Sequence, residues 1–253
     1  MKSLSSILLF CLLFNSISSQ SFKELLLSNT KDTAYVNTLV KSYRQLVHKD
    51  FDSTMVLMHA ALEISDSCDY KIGKINSLRL IADALSLKFK FDSALYYLDK
   101  AEQLSYELKD ENNIANILIL KGNISSDKGD YSQSLVHYDK ALQLSLKNNY
   151  TMGLYKSYAN IGVTHHHTAN YDLAILNYRN AMPFMKELKD SMAMAVISSN
   201  TAGLYQVIND YKMAKKFCYK ALEYSSENDY WGRAGIFTNL GKNYKLLGDL
   251  NKA

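Results

Sequence analysis

The chain repeats itself every 40 residues, and this period constrains its fold more than any other feature of the sequence. Five segments align on an aromatic residue that follows a polar or turn-forming pair: Phe51, Phe91, Tyr131, Tyr171 and Tyr211. A unit of this size cannot bury its apolar face alone, so such units are stable only when they stack on their neighbours. The period therefore predicts a linear array of similar units.

Each unit is predicted to contain two helices. Apolar residues recur at helical spacing, as in Tyr131, Leu135, Tyr138 and Leu142, and no strand-like alternation is sustained. The chain has one Pro and 10 Gly, too few for the turns of a sheet-rich fold. Nine residues before each aromatic stands a small residue that allows close helix packing: Ser42, Ala82, Gly122, Gly162 and Ala202. We expect an all-α, right-handed α-solenoid of antiparallel helix pairs, with helices near 71–88, 92–108, 113–128, 131–147, 151–168, 171–188, 191–208 and 211–227.

The first nineteen residues have the layout of a secretory signal peptide. Met1-Lys2 gives a positive start, residues 4–14 form an apolar run, and residues 15–19 are mostly small and polar. That run is too short to span a bilayer, and no later run approaches the required length. We expect cleavage after Ser19, a lead-in at 20–32, and a repeat region of five units and an incomplete sixth at 33–253. The product would be exported to the periplasm or outside the cell, with no membrane contact within 20–253.

Charge and cysteine content argue against a nucleic-acid-binding protein and against a disulfide-bonded one. The 29 basic and 25 acidic residues are spread along the chain and give a net charge of +4, without the clustered stripe that nucleic-acid binding requires. Cys68 and Cys218 lie 150 residues apart in units that stack linearly. We therefore expect no nucleic-acid partner, and two thiols in place of a disulfide.

Three motifs carry a family resemblance: Leu240-Gly241-x-x-Tyr244, Ile161-Gly162-x-x-His165, and Ala174-x-x-x-Tyr178 with Ala181. They resemble the tetratricopeptide repeat (TPR), over about residues 33–253. The sequence departs from that family in its period of 40 instead of about 34 and in lacking the closing Pro. Both departures are expected of longer helices. The resemblance implies a scaffold that binds a protein or an extended peptide, without catalysis or a cofactor.

The start of the repeat region carries a second resemblance. The segment Asp32-Thr33-Ala34-Tyr35-Val36-Asn37-Thr38-Leu39 is similar to the start of exported TPR regions in bacterial sensor histidine kinases and related regulators. This implies the extracytoplasmic sensing part of a signalling protein. The sixth unit stops at Ala253 with about one turn of its second helix. We expect the native protein to continue into the rest of that helix, a membrane span and a cytoplasmic output domain.

The TPR resemblance also implies a peptide-binding groove along the first helix of each unit. Eleven residues before the aromatic position, the last three units carry Asn160, Asn200 and Asn239. Stacked carboxamides resemble the asparagine ladder that holds an extended peptide backbone in some TPR modules. Alternatively, each Asn bonds the neighbouring helix. The same offsets place five more residues near the groove: Asn123, Lys156, Ser199, Gln206 and Lys242.

The run His165-His166-His167 suggests a rival class, a metal-binding or enzymatic domain. Adjacent residues on a helix point about 100° apart, whereas histidines four residues apart converge on a metal. His165 stands where other units have Tyr205 or Tyr244, which favours a packing role at the edge of the core. No catalytic constellation, phosphate loop or dinucleotide motif is fixed by spacing. We therefore expect no enzyme and no metal site, and a purely structural spacer is the remaining alternative.

Overall fold

A computed structural model describes residues 32–249, and within that range it contains eleven α-helices and no strand. The predicted signal peptide, most of the lead-in and the start of the sixth unit's second helix lie outside the described residues. In chain order, the helices are α1 Thr33–Leu46, α2 Phe51–Ser67, α3 Lys71–Ser86, α4 Phe91–Glu107, α5 Glu111–Asp127, α6 Tyr131–Lys147, α7 Thr151–His167, α8 Tyr171–Glu187, α9 Ser191–Val207, α10 Tyr211–Tyr224 and α11 Tyr230–Leu246.

The all-α prediction is confirmed, and seven of the eight predicted helices agree with the structure to within two residues at each end. The exception is the helix expected at 211–227, which ends at Tyr224. Ser225 has extended backbone dihedrals, and the Arg233 guanidinium donates to the Leu222 carbonyl and to Ser225 Oγ at 3.4 and 3.0 Å. These two bonds give partners to polar groups at the end of the helix. The helix therefore ends three residues earlier than predicted.

The chain divides into two compact units, at the bond between Asn113 and Ile114. In the first unit, α2 packs against α1 and α3, α3 packs against α4, and α1 also contacts α3. Their core contains the fully buried side chains of Leu39, Leu57, Ile81 and Leu98. The Tyr43 hydroxyl donates to Asp83 Oδ2 at 2.6 Å and so links α1 to α3.

In the second unit, each helix from α6 to α10 packs against the next one in the chain, and α9 also contacts α11. Three core clusters lie between the helices, and α5 and α6 share the first of them. Two glycines of the predicted small-residue set have a definite role there. A Cβ at Gly122 would lie 2.4 Å from the Tyr138 ring, and one at Gly162 would lie 2.6 Å from the Tyr178 ring. Each glycine therefore provides the space for a tyrosine ring of the following helix.

Most helix ends share one turn geometry. Nine of the helices are each followed by a turn that contains one residue with a positive φ. The N–H of the residue after it donates to the carbonyl five residues back, as from Asp130 to Ser125 at 2.9 Å. This is the Schellman arrangement, which satisfies carbonyl groups at a helix end. The positive-φ residues are Asp69, Phe89, Lys109, Gly129, Asn149, Ala169, Lys189, Asn209 and Gly248. Only the turn after α10 lacks such a residue among the turns that follow α2 to α11.

Candidate functional site

The predicted groove residues lie on the first helices of the pairs in the second unit, α5, α7, α9 and α11. Lys242 is exposed, and the other seven are half-buried: Asn123, Lys156, Asn160, Ser199, Asn200, Gln206 and Asn239. Half-burial suits a binding residue, because the side chain is held by its neighbours while part of its polar group faces solvent. We call the amide-bearing members, Asn123, Asn160, Asn200, Gln206 and Asn239, the amide face.

Two members of the amide face bond to each other across adjacent first helices. Asn160 Nδ2 on α7 donates to Asn123 Oδ1 on α5 at 2.9 Å, and the Tyr138 hydroxyl donates to the same oxygen at 2.9 Å. A carboxamide has two N–H donors and an acceptor oxygen. One Asn160 N–H and its Oδ1 therefore have no bond in this network. The alternative expectation, a bond from an Asn to the neighbouring helix, is thus met at Asn160. This bond occupies only one of the two N–H groups of the carboxamide.

Asn200 on α9 lies beside another tyrosine hydroxyl, that of Tyr178 on α8. The Tyr178 hydroxyl is buried and has no hydrogen bond of good geometry to the described residues. Burial raises its pKa to about 12, and the polar contact with Asn200 offsets part of that rise. Tyr138 likewise has a raised pKa because of burial, with a smaller contribution from the nearby Asp127 carboxylate. Both hydroxyls are neutral at physiological pH.

Tyr138 and Tyr178 were not predicted from the sequence as neighbours of the amide face. Tyr138 and Tyr178 stand seven residues after the aromatic positions of successive units, and each reaches the first helices over a glycine, Gly122 or Gly162. The recurrence of a Gly 16 residues before a Tyr in two consecutive units could have indicated that the two pack together. Whether the hydroxyl meets an amide depends on the helix crossing, which the sequence does not specify.

The third polar contact of this surface joins α9 to α11. Gln206 Nε2 donates to the Asn239 carbonyl at 3.2 Å and to Asn243 Oδ1 at 3.0 Å. Asn243 is fully buried and donates to the Cys218 sulfur at 3.7 Å. Burial raises the pKa of the Cys218 thiol to about 11, against a smaller lowering by Asn243. Asn243, which was not among the predicted residues, holds the Gln206 side chain through this bond.

The structure therefore brings Asn123 together with Asn160, and Gln206 with the backbone of Asn239. Ser199 lies beside Asn200 in sequence on α9, while Lys156 and Lys242 lie on α7 and α11. Cys68 is exposed on the first unit, Cys218 is buried in the second, and neither is in a disulfide.

The histidine run at the end of α7 packs against aromatic rings. His167 stacks on Tyr131 at 5.7 Å between ring centroids, and His166 contacts His167 and the edge of Tyr171. His165 is half-buried, and burial lowers its pKa against an opposing effect of Asp139. No group of three or more His, Cys, Asp or Glu side chains in residues 32–249 is arranged to hold a metal ion. Across the same range, every helix falls short of the length and apolar character needed to cross a bilayer.

A family model described as tetratricopeptide repeat matches residues 115–148, which cover most of α5 and all of α6. The chain is 25% identical over 186 residues to Protein KINESIN LIGHT CHAIN-RELATED 2 of Arabidopsis thaliana. That match covers 68% of this chain but only 27% of the plant protein, so the chain spans about a quarter of its relative.

Solved structures show the same fold at low sequence identity. BtubC (BKLC) from P. vanneervenii has a TM-score of 0.67 and 20% identity, with 88% of this chain and 87% of that chain covered. A Rap protein complexed with competence and sporulation factor has a TM-score of 0.63 and 17% identity, covering 90% of this chain and 70% of the other. Together with the paired helices and the matched repeat, these similarities identify the fold of this chain as a helical repeat of the tetratricopeptide type.

Proposed function

We propose that this protein is a binding scaffold that holds an extended peptide along its amide face, without catalysis of its own. The observation that carries the proposal is the bond from Asn160 to Asn123, which fixes the Asn160 carboxamide while one N–H and the oxygen stay available. An extended backbone offers one donor and one acceptor in each peptide unit. The available N–H and oxygen of the Asn160 carboxamide match this donor and acceptor. Because the bond to Asn123 already orients the carboxamide, less conformational entropy is lost when the ligand binds.

The repeat supplies the other positions of the proposed site. Asn200 and Asn239 occupy the places of Asn160 in the next two units, and Gln206 is held by Asn243 on α11. Contacts of this kind recognise chain direction and extension more than side chains. In this proposal, Lys156, Ser199 and Lys242 bias the choice of ligand. The complex of the similar Rap protein with competence and sporulation factor supports a ligand-binding role for this fold.

A library of random peptides displayed on phage tests this function directly. The purified chain is used for selection, and recovered peptides are measured against the triple variant Asn160→Ala, Asn200→Ala and Asn239→Ala. We expect peptides that bind the parent chain and lose one to three orders of magnitude of affinity on the variant, because each net hydrogen bond contributes about 0.5–1.5 kcal/mol. Equal binding to both proteins, or no recovered peptide, would contradict the proposal.

The matched control for that experiment changes amides elsewhere in the same unit. Asn148 and Asn177 are not members of the amide face: Asn148 follows α6 in a turn, and Asn177 lies on α8, where its Nδ2 donates to the Leu173 carbonyl at 2.8 Å. The double variant Asn148→Ala, Asn177→Ala is expected to bind the selected peptides as the parent chain does. Circular dichroism of all three proteins verifies that they remain folded, since the amide face lies at the edge of the core and not within it.

We also propose that the chain is exported and forms the sensing part of a bacterial signalling protein. The support is the layout of the first nineteen residues and the similarity of the segment at 32–39 to exported sensor regions. Mass spectrometry of the protein from its native cells is expected to show an N-terminus near Gln20. A chain that retains Met1 would contradict export through this leader.

A further inference from the structure

Among the second helices of pairs between residues 32 and 249, α10 carries the most Lys and Arg residues. Its fourteen residues include Lys212, Lys215, Lys216 and Lys220, against a single carboxylate at Glu223. Lys212 and Lys216 are exposed, and Lys215 and Lys220 are half-buried. We call the stripe formed by Lys212, Lys215, Lys216, Tyr219 and Lys220 the α10 basic face.

These lysines are unfavourable for the helix that carries them. Lys212 lies in the first turn, where the helix dipole favours a negative charge, and three equivalent helices have Asp52, Asp92 and Asp172 at this position. Lysines four residues apart repel each other, as do Lys212 and Lys216, and Lys216 and Lys220. Helix stability therefore does not explain the sequence of α10.

The equivalent helices of the two preceding units, α8 and α6, lead to the same conclusion. Lys215 and Lys216 stand where α8 has Ile175 and Leu176, and where α6 has Leu135 and Val136. The fold thus accepts apolar residues at both positions. The packing of α10 therefore does not require Lys215 or Lys216.

Aromatic rings hold part of the α10 basic face in place. Lys215 Nζ lies 5.0 Å from the centroid of the Tyr244 ring on α11, and Lys220 Nζ lies 5.0 Å from that of Phe217. The hydroxyls of Tyr219 and Tyr244 are 2.7 Å apart. Between residues 32 and 249, no α10 lysine forms an ion pair. The α10 basic face thus carries positive charge that no carboxylate of the described residues pairs with, and two of its lysines pack on aromatic rings.

We propose that the α10 basic face binds an acidic polypeptide segment, at a place separate from the amide face. Lys212 and Lys220 are about 12 Å apart along the helix axis, at a rise of about 1.5 Å per residue. Lys212, Lys216 and Lys220 thus recur at intervals of about 6 Å, and carboxylates at every fourth residue of a facing helix recur at the same interval. Asp210 and Glu223 lie just outside the two ends of the stripe, so a short acidic segment fits between them whereas a continuous polyanion meets repulsion.

The experiment uses two synthetic helical peptides, one with Glu at every fourth residue and one with Gln in those places. Fluorescence anisotropy measures their binding to the full chain at low and at moderate salt. The Glu peptide is expected to bind, and to bind less tightly as salt increases, because exposed charges are screened. The Gln peptide is expected not to bind.

The test variant is the triple substitution Lys212→Gln, Lys215→Gln and Lys216→Gln, which should weaken the Glu peptide by about tenfold or more. Its melting temperature should change little, since the relief of like-charge repulsion offsets the loss of the contact between Lys215 and Tyr244. The matched control removes the same charge elsewhere in the second unit, through Lys140→Gln, Lys147→Gln and Lys186→Gln, and should bind like the parent chain. A second test variant, Lys212→Asp alone, copies the residue of α8 and should also weaken binding.

Several results would overturn the proposal. They are no binding of the Glu peptide to the parent chain, equal binding to the test variant, or an equal loss in the control, which would indicate a response to net charge. Phosphatidylserine vesicles and duplex DNA serve as competing probes. Binding to either one that the test variant abolishes, without peptide binding, would assign the face to lipid or nucleic acid. Self-association in sedimentation that the test variant abolishes would assign it to a second copy of the chain.

Discussion

Single positions in the core of the second unit determine how closely its helices approach. Gly162 is buried against Tyr178, and an added Cβ would lie 2.6 Å from two atoms of that ring and 3.3 Å from the Ala174 carbonyl. Gly203 on α9 is different, because a Cβ there would meet no atom within 4 Å. The same substitution should therefore have opposite effects at the two glycines.

We predict that Gly162→Ala lowers the free energy of unfolding by about 1–3 kcal/mol, because the Tyr178 ring must shift in a packed core. Gly203→Ala should raise it by up to about 1 kcal/mol, since alanine favours the helix and nothing is displaced. Urea denaturation of both variants measures the difference. Equal changes of the same sign would mean that Tyr178 does not occupy the space beside Gly162.

The half-buried His165 makes stability depend on pH. Burial lowers its pKa below the ordinary 6.5, so the folded state binds the proton less readily than the unfolded chain does. Its contribution is fully present above the unfolded value. It is lost as the pH falls from about 6.5 through the lower folded pKa.

We predict that His165→Tyr, which places the residue of two other units at this site, reduces the loss of stability between pH 7.5 and pH 5. Tyrosine does not titrate in that range. Urea unfolding of the parent chain and the variant at both pH values measures the loss, and His48→Gln at an exposed position of the first unit is the control. Identical losses in the parent chain and His165→Tyr would refute this assignment.

At the scale of elements, the turns between helices share a backbone conformation that most of their residues do not favour. Seven of the nine positive-φ residues are not glycine. Ala169, with φ of 59°, has no side-chain polar group to stabilise this conformation, whereas Gly129 takes the equivalent place after α5 with φ of 80°. Nothing lies within 4 Å of a Cβ built at Gly129, so only the backbone matters there.

Exchanging these residues tests the turn directly. Ala169→Gly should raise the free energy of unfolding by about 0.5–1 kcal/mol, and Gly129→Ala should lower it by about 1 kcal/mol. The helices on either side should be unchanged, as hydrogen exchange of their amides would show. A loss of stability in Ala169→Gly would indicate that the Ala169 methyl group has contacts that outweigh the strain.

From α3 to α9, the residue before the first helix of each pair alternates between two types. Before α3 and α7 stands a tyrosine, and the Tyr150 hydroxyl and Asn116 carboxamide bond at 3.0 Å across the pair. Before α5 and α9 stands an aspartate, which accepts the N–H three residues on, as Asp190 does from Ala193 at 3.0 Å. An Asp in this position caps the helix, whereas the tyrosine ties it to an earlier one. The sequence around Asp110 therefore recurs around Asp190, 80 residues later.

At the scale of the molecule, the proposed ligand must contact three helices at once. Asn160, Asn200 and Asn239 lie on α7, α9 and α11, each one unit from the next. Substitutions at well-separated sites without a shared partner add in free energy. An extended ligand that reaches all three should therefore respond to each one independently.

We predict that the binding losses of the three single Asn→Ala variants sum to that of the triple variant, within about 0.5 kcal/mol. Isothermal titration with a peptide selected on the parent chain measures the four values. Asn160→Ala should also lower stability by about 0.5–1.5 kcal/mol, because its bond to Asn123 is lost. A ligand that responds to one Asn alone would indicate a compact ligand in place of an extended one.

Much of the fold was predictable, because it depends on local patterns. The spacing of apolar residues and the 40-residue period predicted the helices, and the Asp, Asn and Gly residues between them predicted the turns. The early end of α10 was not predictable, since it depends on Arg233 from the following helix. The same limit applied to the amide face, where Tyr138 and Asn243 reach the predicted residues from positions distant in sequence.

The sequence by itself therefore determined the class of fold, the length of the unit and the helices that carry the candidate residues. Periodicity and turn chemistry act between residues that are close in the chain. The tertiary structure alone decided that Asn160 bonds Asn123, that Gln206 bonds the α11 backbone, and that Lys215 lies over Tyr244. These contacts join residues 29 to 37 positions apart. Their existence depends on how two helices cross, which is set by the packing of side chains over the whole interface.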